Sequence, residues 1–454
     1  MTSAAPQPAA PEPLALHPSP PLPGPPMTVA APEPWGLVRR IAFRFALAYL
    51  FLYSFPSPLD ALPGTDSLVK AISEVGHTVI PWVGKHVLRL ETDITIFTNG
   101  SGDTTYNYVQ VLVLFAVALV AAAVGSIVDR RRTQYVQAHD VLRVYVRYVL
   151  AMSMLSYGLA KVFHIQFSFP QPERFVQPLG EFSPMGLVWT FMGYSSGYTF
   201  LAGAAECVGG LLLLFRRTTS LGAVVLIGVM GNVVALNFFY DIPVKLYSSH
   251  LLLMAVFLLL PDAQRLLHVL LLNRPTTPRK LATPVPLSQR EARGVLALRV
   301  LFLGAVAWAF FQEFSALNAW FKAAAQHALL GLYTVESFTR DGQVLPPLLG
   351  DTTRWRYAAV SSHGRMTVRL MDDTAKRFGL KDDAAKGTVT LTDGTGDAAK
   401  TSVLTYSQPD AEHLVLQGPF QDGTIEVHLK KVDVSQFLLV RRGFNWIQEY
   451  PFNR

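Results

Sequence analysis

Cysteine is almost absent from this sequence of 454 residues, which contains one, Cys207. A single cysteine excludes an internal disulfide and a Cys-x-x-Cys redox pair, and with them a thiol-oxidising membrane enzyme, which needs at least two. Charge is also scarce, since 16% of the residues are charged, 50% are hydrophobic and the mean hydropathy is +0.29. This composition fits neither a disordered chain nor an ordinary soluble enzyme. It predicts a membrane protein with soluble parts.

The net charge of +7 raises the question of nucleic-acid binding. The basic residues, however, form short clusters between apolar runs, and a membrane surface explains such clusters better than a nucleic acid does. We therefore expect the lipid bilayer as a partner, together with a periplasmic or membrane protein, and no nucleic acid.

Residues 1–34 contain twelve prolines and lack a basic segment followed by an apolar core, so we expect a disordered tail there and not a signal peptide. Seven apolar runs of spanning length follow. They cover about residues 41–55, 108–128, 141–163, 198–215, 220–240, 246–260 and 295–311.

The positive-inside rule gives the orientation of these spans. With the N-terminus in the cytoplasm, thirteen Lys and Arg residues lie on the inner connections and five on the outer ones. Seven spans then place the C-terminus outside. The pattern predicts a protein of the bacterial inner (plasma) membrane with a cytoplasmic N-terminus and a periplasmic C-terminal domain.

The sequence changes its character after the last span. Residues 314–333 fit either an amphipathic helix in the outer interface or an ordinary linker helix. From about residue 340, alternating runs such as RMTVRLM and GTIEVHLKKV are separated by turn signals, which predicts a small all-β barrel or sandwich. We expect the aromatic ending RRGFNWIQEYPFNR to close a barrel or to pack on the interface helix.

Two features of the sequence raise the question of a ligand site, but both are better explained without a ligand. The segment TNGSGDTTYNY, residues 98–108, has the glycines and hydroxyls of a phosphate loop but lacks its Gly-Lys-Ser/Thr ending, so we expect Asp103 or Thr104 to cap the following helix. The histidines of the β-domain lack a cysteine or clustered carboxylates at ligand spacing, and no metal site is expected. These are His363, His413 and His428.

Polar residues recur at one level in the outer half of four predicted spans. At 1.5 Å per residue, Lys161, Glu206, Asn232 and His250 lie about 6 to 12 Å below the outer ends of their helices, and Tyr157 flanks them one turn from Lys161. An unpaired carboxylate in hydrocarbon costs a few kcal/mol or more, so Lys161 is the expected partner of Glu206. We expect the five residues to bind a ligand or to relay protons. The alternative is that they are interhelical hydrogen-bonding groups, each bond contributing about 1 kcal/mol, with Lys161 reaching outward to the surface.

The same residues carry a resemblance to a known family. The stretches RVYVRYVLAMSMLSYGLAKVF, AGAAECVGGLLLLFRRTT and SSHLLLMAVFLLLPD resemble the four-helix DoxX family of bacterial membrane proteins, over about residues 141–262. The family's early arginine is matched by Arg147 or Arg143, its Gly-x-x-Lys by residues 158–161, and its Glu with a glycine four residues later by Glu206. The family is named for a membrane subunit linked to thiosulfate oxidation by quinone. The resemblance therefore implies a four-helix core and quinone as the candidate cofactor.

The predicted architecture is an all-α polytopic membrane bundle of about seven transmembrane helices, followed by a small all-β domain. The predicted parts are the tail (1–34), two additional spans with an outer loop (35–140), the DoxX-like core (141–262), a cytoplasmic loop with the seventh span and an interfacial helix (263–330), and the extracytoplasmic β-domain (340–454).

Three functional hypotheses follow from this architecture, and whether the protein is an enzyme stays open. The leading one is a quinone-linked redox or small-ligand-binding membrane component with its polar site in the outer half of the bundle. The second is a non-catalytic scaffold whose β-domain recruits a partner. The third is a small-molecule or proton transporter, which is weaker because the sequence shows no inverted repeat.

Overall fold

A computed structural model describes residues 34–62, 64–97, 99–277, 288–325, 328–394 and 399–453. A mostly helical part is followed by a closed antiparallel β-barrel, which confirms the predicted fold class. All but the last residue of the proline-rich tail, and residues 278–287 of the predicted cytoplasmic loop, lie outside the described residues.

The described residues of the helical part form nine α-helices. They are α1 (Leu37–Ser54), α2 (Asp66–His86), α3 (Thr105–Val128), α4 (Val136–Val162), α5 (Pro184–Tyr194), α6 (Ser196–Leu213), α7 (Thr219–Phe239), α8 (Lys245–Leu270) and α9 (Gln289–Ala325). Five of them, α3 and α6 to α9, are long and apolar enough to cross a membrane. The chain is therefore a membrane protein in contact with lipid.

Each of the seven predicted spans coincides with a helix, but α1 and α4 are not among the five that are long and apolar enough to cross a membrane. Helix α1 carries three arginines within 18 residues, and α4 carries Arg143, Arg147 and Lys161. Buried contacts compensate for some of this polarity. The Arg44 guanidinium donates to the Tyr135 hydroxyl at 2.9 Å, and that hydroxyl donates to the Asp129 carboxylate at 2.8 Å.

Two helices occupy segments that were predicted as outer connections. Helix α2 contains Lys70, Glu74 and Pro81, which interrupt its apolar residues, so a search for uninterrupted apolar runs misses it. Helix α5 lies between α4 and α6. It begins with Pro184 at its first position, and the Ser183 hydroxyl accepts a hydrogen bond from the Gly186 amide.

The seventh span and the following interfacial segment are one continuous helix, α9, and the prediction of a separate interfacial helix is therefore corrected. Residues 314–325 read FSALNAWFKAAA. They include five alanines and neither glycine nor proline, so local propensity favours continuing the helix. The end of the predicted interfacial stretch, from Gly331 on, already belongs to the first strand.

The glycine-rich turn before α3 caps two helices. The Thr104 hydroxyl caps α3 through a capping box with Asn107, which confirms the expected N-cap. The neighbouring Asp103 carboxylate accepts from the amides of Lys245 at 2.7 Å and Leu246 at 2.9 Å. It thereby holds the beginning of α8, where a negative charge is favourable.

The C-terminal part contains nine strands among its described residues. They are β1 (Gly331–Arg340), β2 (Gln343–Val344), β3 (Trp355–Ser361), β4 (Arg365–Leu370), β5 (Ala375–Asp383), β6 (Thr388–Asp393), β7 (Lys400–Ser407), β8 (His413–Phe420) and β9 (Gly423–Val432).

Eight of the strands form a closed barrel, so the barrel is correct and the sandwich is not. Strands β3 to β9 pair in sequence order, and β1 pairs with β3 on one edge and with β9 on the other, from Leu332↔Val432 to Arg340↔Ile425. The short β2 forms a hairpin with the end of β1. Because β1 begins at Gly331, the barrel starts before residue 340, where the β-domain was predicted to start. Its interior is filled with apolar side chains, including the fully buried Trp355 and Phe338.

The barrel contacts the connection between α4 and α5. Arg369 donates two hydrogen bonds to the Glu181 carboxylate, at 3.1 and 2.7 Å. The Gln171 side-chain oxygen accepts from the amide and hydroxyl of Ser362, and Phe175 stacks on Phe437 at 5.4 Å between ring centroids. The barrel is thus attached at the end of α4 that carries Lys161.

The aromatic ending of the chain does not close the barrel, so the first of the two roles expected for it is wrong. A short helix, α10 (Leu438–Arg441), follows β9, and the residues after it are largely exposed. The exposed fractions are 78% for Phe444, 89% for Trp446 and 85% for Tyr450. The barrel closes without them because β1 and β9 pair along the length of β1.

Candidate functional site

Lys161 and Glu206 form a buried ion pair between α4 and α6. The Lys161 Nζ lies 2.8 Å from the Glu206 Oε2, and the exposed fractions of the two residues are 7% and 2%. Water is largely excluded from both groups, so each provides the opposite charge that the other requires. The pairing expected from the sequence is present.

Glycines bring the two helices close enough for this pair to form. A Cβ atom on Gly203 would lie 2.5 Å from the Gly158 carbonyl oxygen and 2.7 Å from the Lys161 Cβ. A Cβ atom on Gly158 would lie 2.6 Å from the Cys207 sulfur. The backbones of α4 and α6 therefore touch at this level, as small residues permit in membrane helices. The lysine and the glutamate then meet less than one helical turn from the crossing.

A cavity of about 390 Å³ lies beside the pair, and both residues line it. Its volume falls within the range of about 300 to 1,000 Å³ that is typical of small-molecule sites. The walls are mostly apolar and come from α4, α6, α7 and α8, with Val188, Trp189 and Met192 of α5 on another side. An apolar cavity with a few polar groups at one end suits an amphipathic ligand.

Four of the five predicted site residues line this cavity: Tyr157, Lys161, Glu206 and Asn232. The Lys161 Nζ lies 5.6 Å from the centre of the Tyr157 ring and 6.0 Å from that of Phe167, which are cation–π distances. The structure thus brings an ammonium, a carboxylate, an amide and a phenol to one cavity.

His250 does not line the cavity. Its Nδ1 lies 2.7 Å from the Leu246 carbonyl oxygen, to which it donates, and its Nε2 then accepts from the Tyr49 hydroxyl at 2.7 Å. The Tyr53 ring stacks on the imidazole at 3.8 Å between centroids. His250 therefore holds α1 against α8 through its Nε2, while its Nδ1 is occupied by a carbonyl oxygen of its own helix.

Two further residues of the cavity were not among the predicted site residues. Gln166 lies beyond the end of α4, and its buried side-chain oxygen has no hydrogen-bond partner within the described chain. Trp189 lies on α5, in a segment that was assigned to an outer connection. The length of apolar runs identifies membrane spans and leaves such residues on the surface, because it does not indicate that a connection folds back over the bundle.

The barrel histidines occupy separate places. His413 contacts Asp410 at 2.8 Å, His428 contacts Glu426 at 2.9 Å, and His363 stacks on Trp320 of α9. Across the described ranges, no group of three His, Cys, Asp or Glu residues is arranged to hold a metal ion.

The contact between the barrel and the connection near the cavity is charged. The hydrogen bonds from Arg369, together with the positive charges of Arg369 and Arg377, hold the pKa of Glu181 below its ordinary value, although burial opposes them. Because Glu181 is ionised at neutral pH, the pair is intact there. The segment 163–183 thus connects the barrel to the helix that carries Lys161.

Comparison with known proteins places the site within a matched segment. The family model described as DoxX matches residues 142–241, which include Lys161, Glu206 and Asn232. The uncharacterized protein YwoB of Bacillus subtilis (strain 168) is 36% identical over 123 residues, which cover 27% of this chain and 78% of YwoB. No solved structure matches the chain.

Proposed function

The chain belongs to the DoxX family, and from this premise we propose that it is a membrane component that binds a small amphipathic ligand, with quinone as the ligand class. The observation that carries the proposal is the buried pair of Lys161 and Glu206, which lines a mostly apolar cavity. An ion pair that served only to hold two helices together would not need a cavity beside it.

The chemistry of the pair suits a carbonyl-bearing ring. An ammonium has three N–H donors. In the described part of the chain, the Lys161 Nζ uses one of them, toward Glu206. The others are available to a quinone carbonyl oxygen. Glu206 offsets the unfavourable burial of an ammonium here because it places the opposite charge 2.8 Å away.

The rest of the cavity matches the other parts of a quinone. Asn232, Tyr157 and Gln166 offer donors for a second carbonyl oxygen, and Trp189 and Phe167 offer aromatic faces to a flat ring. Glu206 is also a candidate proton acceptor at the same end of the cavity. These groups support binding of a quinone, and a redox role is proposed as the consequence of that binding.

The membrane and its sidedness are part of the proposal. We place the protein in a bacterial inner membrane with its N-terminus in the cytoplasm and the barrel in the periplasm, because thirteen basic residues lie on the inner connections and five on the outer. The contact of Arg369 with Glu181 supports placing the barrel and the Lys161 end of α4 on one side. A reporter that is active only in the periplasm, fused to the C-terminus, is expected to be active. A reporter active only in the cytoplasm would contradict this orientation.

Ligand binding is tested on the purified full-length protein. Extraction and native mass spectrometry should find about one quinone per protein in the wild type and far less in Lys161→Met. The control is Lys85→Met, which removes a lysine that is 62% exposed in its side chain and pairs with Asp93 at the surface. Equal quinone content in both variants, or none in the wild type, would contradict the proposal.

A scaffold is the second candidate function, and the exposed aromatic ending favours it. Phe444, Trp446, Ile447 and Tyr450 are each at least 78% exposed. Exposed aromatic residues are common in protein interfaces. Under this alternative, a chain truncated before Phe444 fails to rescue the phenotype of a strain in which the gene is deleted, whereas Lys161→Met rescues it. The binding proposal predicts the reverse result.

A further inference from the structure

A second cavity, of about 750 Å³, adjoins the first one. It lies between α1, α2, α3 and α8, beside the turn 100–102. Helices α1 to α3 lie outside the segment 142–241 that the family model matches. This cavity therefore depends on helices that precede the family core.

The two cavities share a wall made by Tyr157, Val244 and Tyr247, which line both. The centres of the two tyrosine rings are 6.0 Å apart. The Tyr247 hydroxyl is held by Ser153 Oγ at 3.0 Å. Tyr157 is 39% exposed, and within the described residues its hydroxyl makes no hydrogen bond. One side of the wall is thus fixed, and the other is a ring without a polar tether.

The two cavities differ in chemistry. The first holds the Lys161–Glu206 pair. Among the described residues, no charged side chain lines the second cavity, and half of its lining residues are aliphatic, including Ile72, Val79, Val111 and Leu114. A polar end and an uncharged apolar space that meet at a shared wall correspond to the two parts of a molecule with a polar head and a hydrocarbon chain.

We propose that the second cavity binds the isoprenoid chain of the quinone whose head group binds at Lys161 and Glu206, with Tyr157 at the passage between them. This inference rests on the proposed function. It goes further by assigning α1, α2 and α3 a role in ligand recognition. The first cavity lies near the lower limit of about 300 Å³ for small-molecule sites, so it suits a head group better than a head group with a long chain.

The test compares two quinones with the same head group and either one or four isoprene units, by calorimetric titration of the full-length protein in nanodiscs. The wild type is expected to bind the four-unit quinone at least about tenfold more tightly, compared at equal mole fraction of quinone in the nanodisc lipid, because only the longer chain makes dispersion contacts with the wall of the second cavity. Mole fractions are compared because a longer chain also partitions more strongly into lipid. The variant Val111→Trp/Leu114→Trp fills the second cavity from α3 and should lose this advantage while keeping its affinity for the one-unit quinone.

The matched control is Leu112→Trp/Val117→Trp, on the same helix at positions that are 49% and 47% exposed and do not line the second cavity. It should behave like the wild type. If the filled variant keeps the tenfold advantage, the chain binds elsewhere and the inference is overturned while the proposed function stands. If neither quinone binds the wild type, the proposed function itself fails.

A second measurement covers a filled variant that does not fold. A four-unit quinone with a photoreactive group at the end of its chain is added to the wild type, and the labelled peptides are identified by mass spectrometry. Labelling of residues that line the second cavity, from α1, α2, α3 or α8, is expected. Labelling confined to residues outside this cavity or to lipid would overturn the inference.

Discussion

Removal of one partner of the Lys161–Glu206 pair should destabilise the protein strongly. In Lys161→Met the carboxylate of Glu206, which is 2% exposed, loses the ammonium that lies 2.8 Å away. Breaking a buried ion pair by removing one partner costs about 3 to 5 kcal/mol, and less if the remaining group becomes neutral. Glu206→Gln should cost a similar amount because it leaves the ammonium of Lys161 without a counter-charge.

The double variant should recover part of this loss. With both charges gone, neither group has to be kept ionised in the apolar bundle, so Lys161→Met/Glu206→Gln should be more stable than the worse single variant. The difference between the double variant and the sum of the singles gives the coupling energy. The assay measures the unfolding of the protein in detergent or nanodiscs by thermal melts and by denaturant titration.

A surface pair provides the matched control. Lys85 and Asp93 lie 3.1 Å apart, and their side chains are 62% and 82% exposed. A double-mutant cycle on Lys85 and Asp93 should yield a coupling energy of at most about 1 kcal/mol, because water screens exposed charges. If Lys161→Met and Glu206→Gln melt like the wild type, the two buried groups do not interact as the geometry requires. The burial of Glu206 would then need water or Asn232 as its partner.

Three other predictions concern the barrel, its attachment and the helix crossing. A fragment of residues 328–454 should give a β-type circular dichroism spectrum and a cooperative melt. A fragment of residues 341–454 lacks β1 and should not melt cooperatively, because the barrel closes by pairing of β1 with β9. A cooperative melt of the shorter fragment would contradict this closure. The pKa of Glu181 is lowered, so its bond to Arg369 stabilises the attachment of the barrel fully above the ordinary pKa of a glutamate, about 4.3, and this stabilisation is lost as the pH falls through the lowered pKa. Energy transfer between one label on the barrel and one on the bundle should therefore decrease in that pH range. In Arg369→Met the energy transfer should no longer depend on the titration of Glu181. Gly203→Val should destabilise the bundle by about 1 to 3 kcal/mol and reduce the quinone content, because its side chain would collide with the backbone of α4; a wild-type melt would show that the helices do not touch there.

The sequence alone determined the kind of protein and the pairing at its centre. Uninterrupted apolar runs can satisfy their backbone only as helices in lipid, and period-two alternation with turn signals can bury only one face of a strand, so the helical membrane part and the β-domain followed directly. The charge of Glu206 in an apolar run required a partner, and Lys161 was the cation at a matching depth. The cap at Thr104 followed from local chemistry as well.

The tertiary structure decided which residues at one depth lie together. The rise per residue gives the depth of a side chain in a helix, but the direction in which it points depends on how the helices pack. His250 lies at a predicted depth similar to that of Lys161, yet it points toward Tyr49 of α1 and not into the cavity. Asn232 lies on α7 and does line the cavity.

Features that join distant segments were also beyond the reach of the sequence pattern. The barrel closes because β1 pairs with β9, and neither strand by itself indicates its partner. Helix α5 forms a wall of the cavity although its segment is too short to span and was predicted as a connection. The volume between helices depends on crossings such as that of Gly158 and Gly203, where two backbones meet because neither residue has a side chain. Composition and periodicity thus specified the elements and their medium, and the packing of those elements decided the cavity, because contacts between distant segments leave no periodic signal in either one.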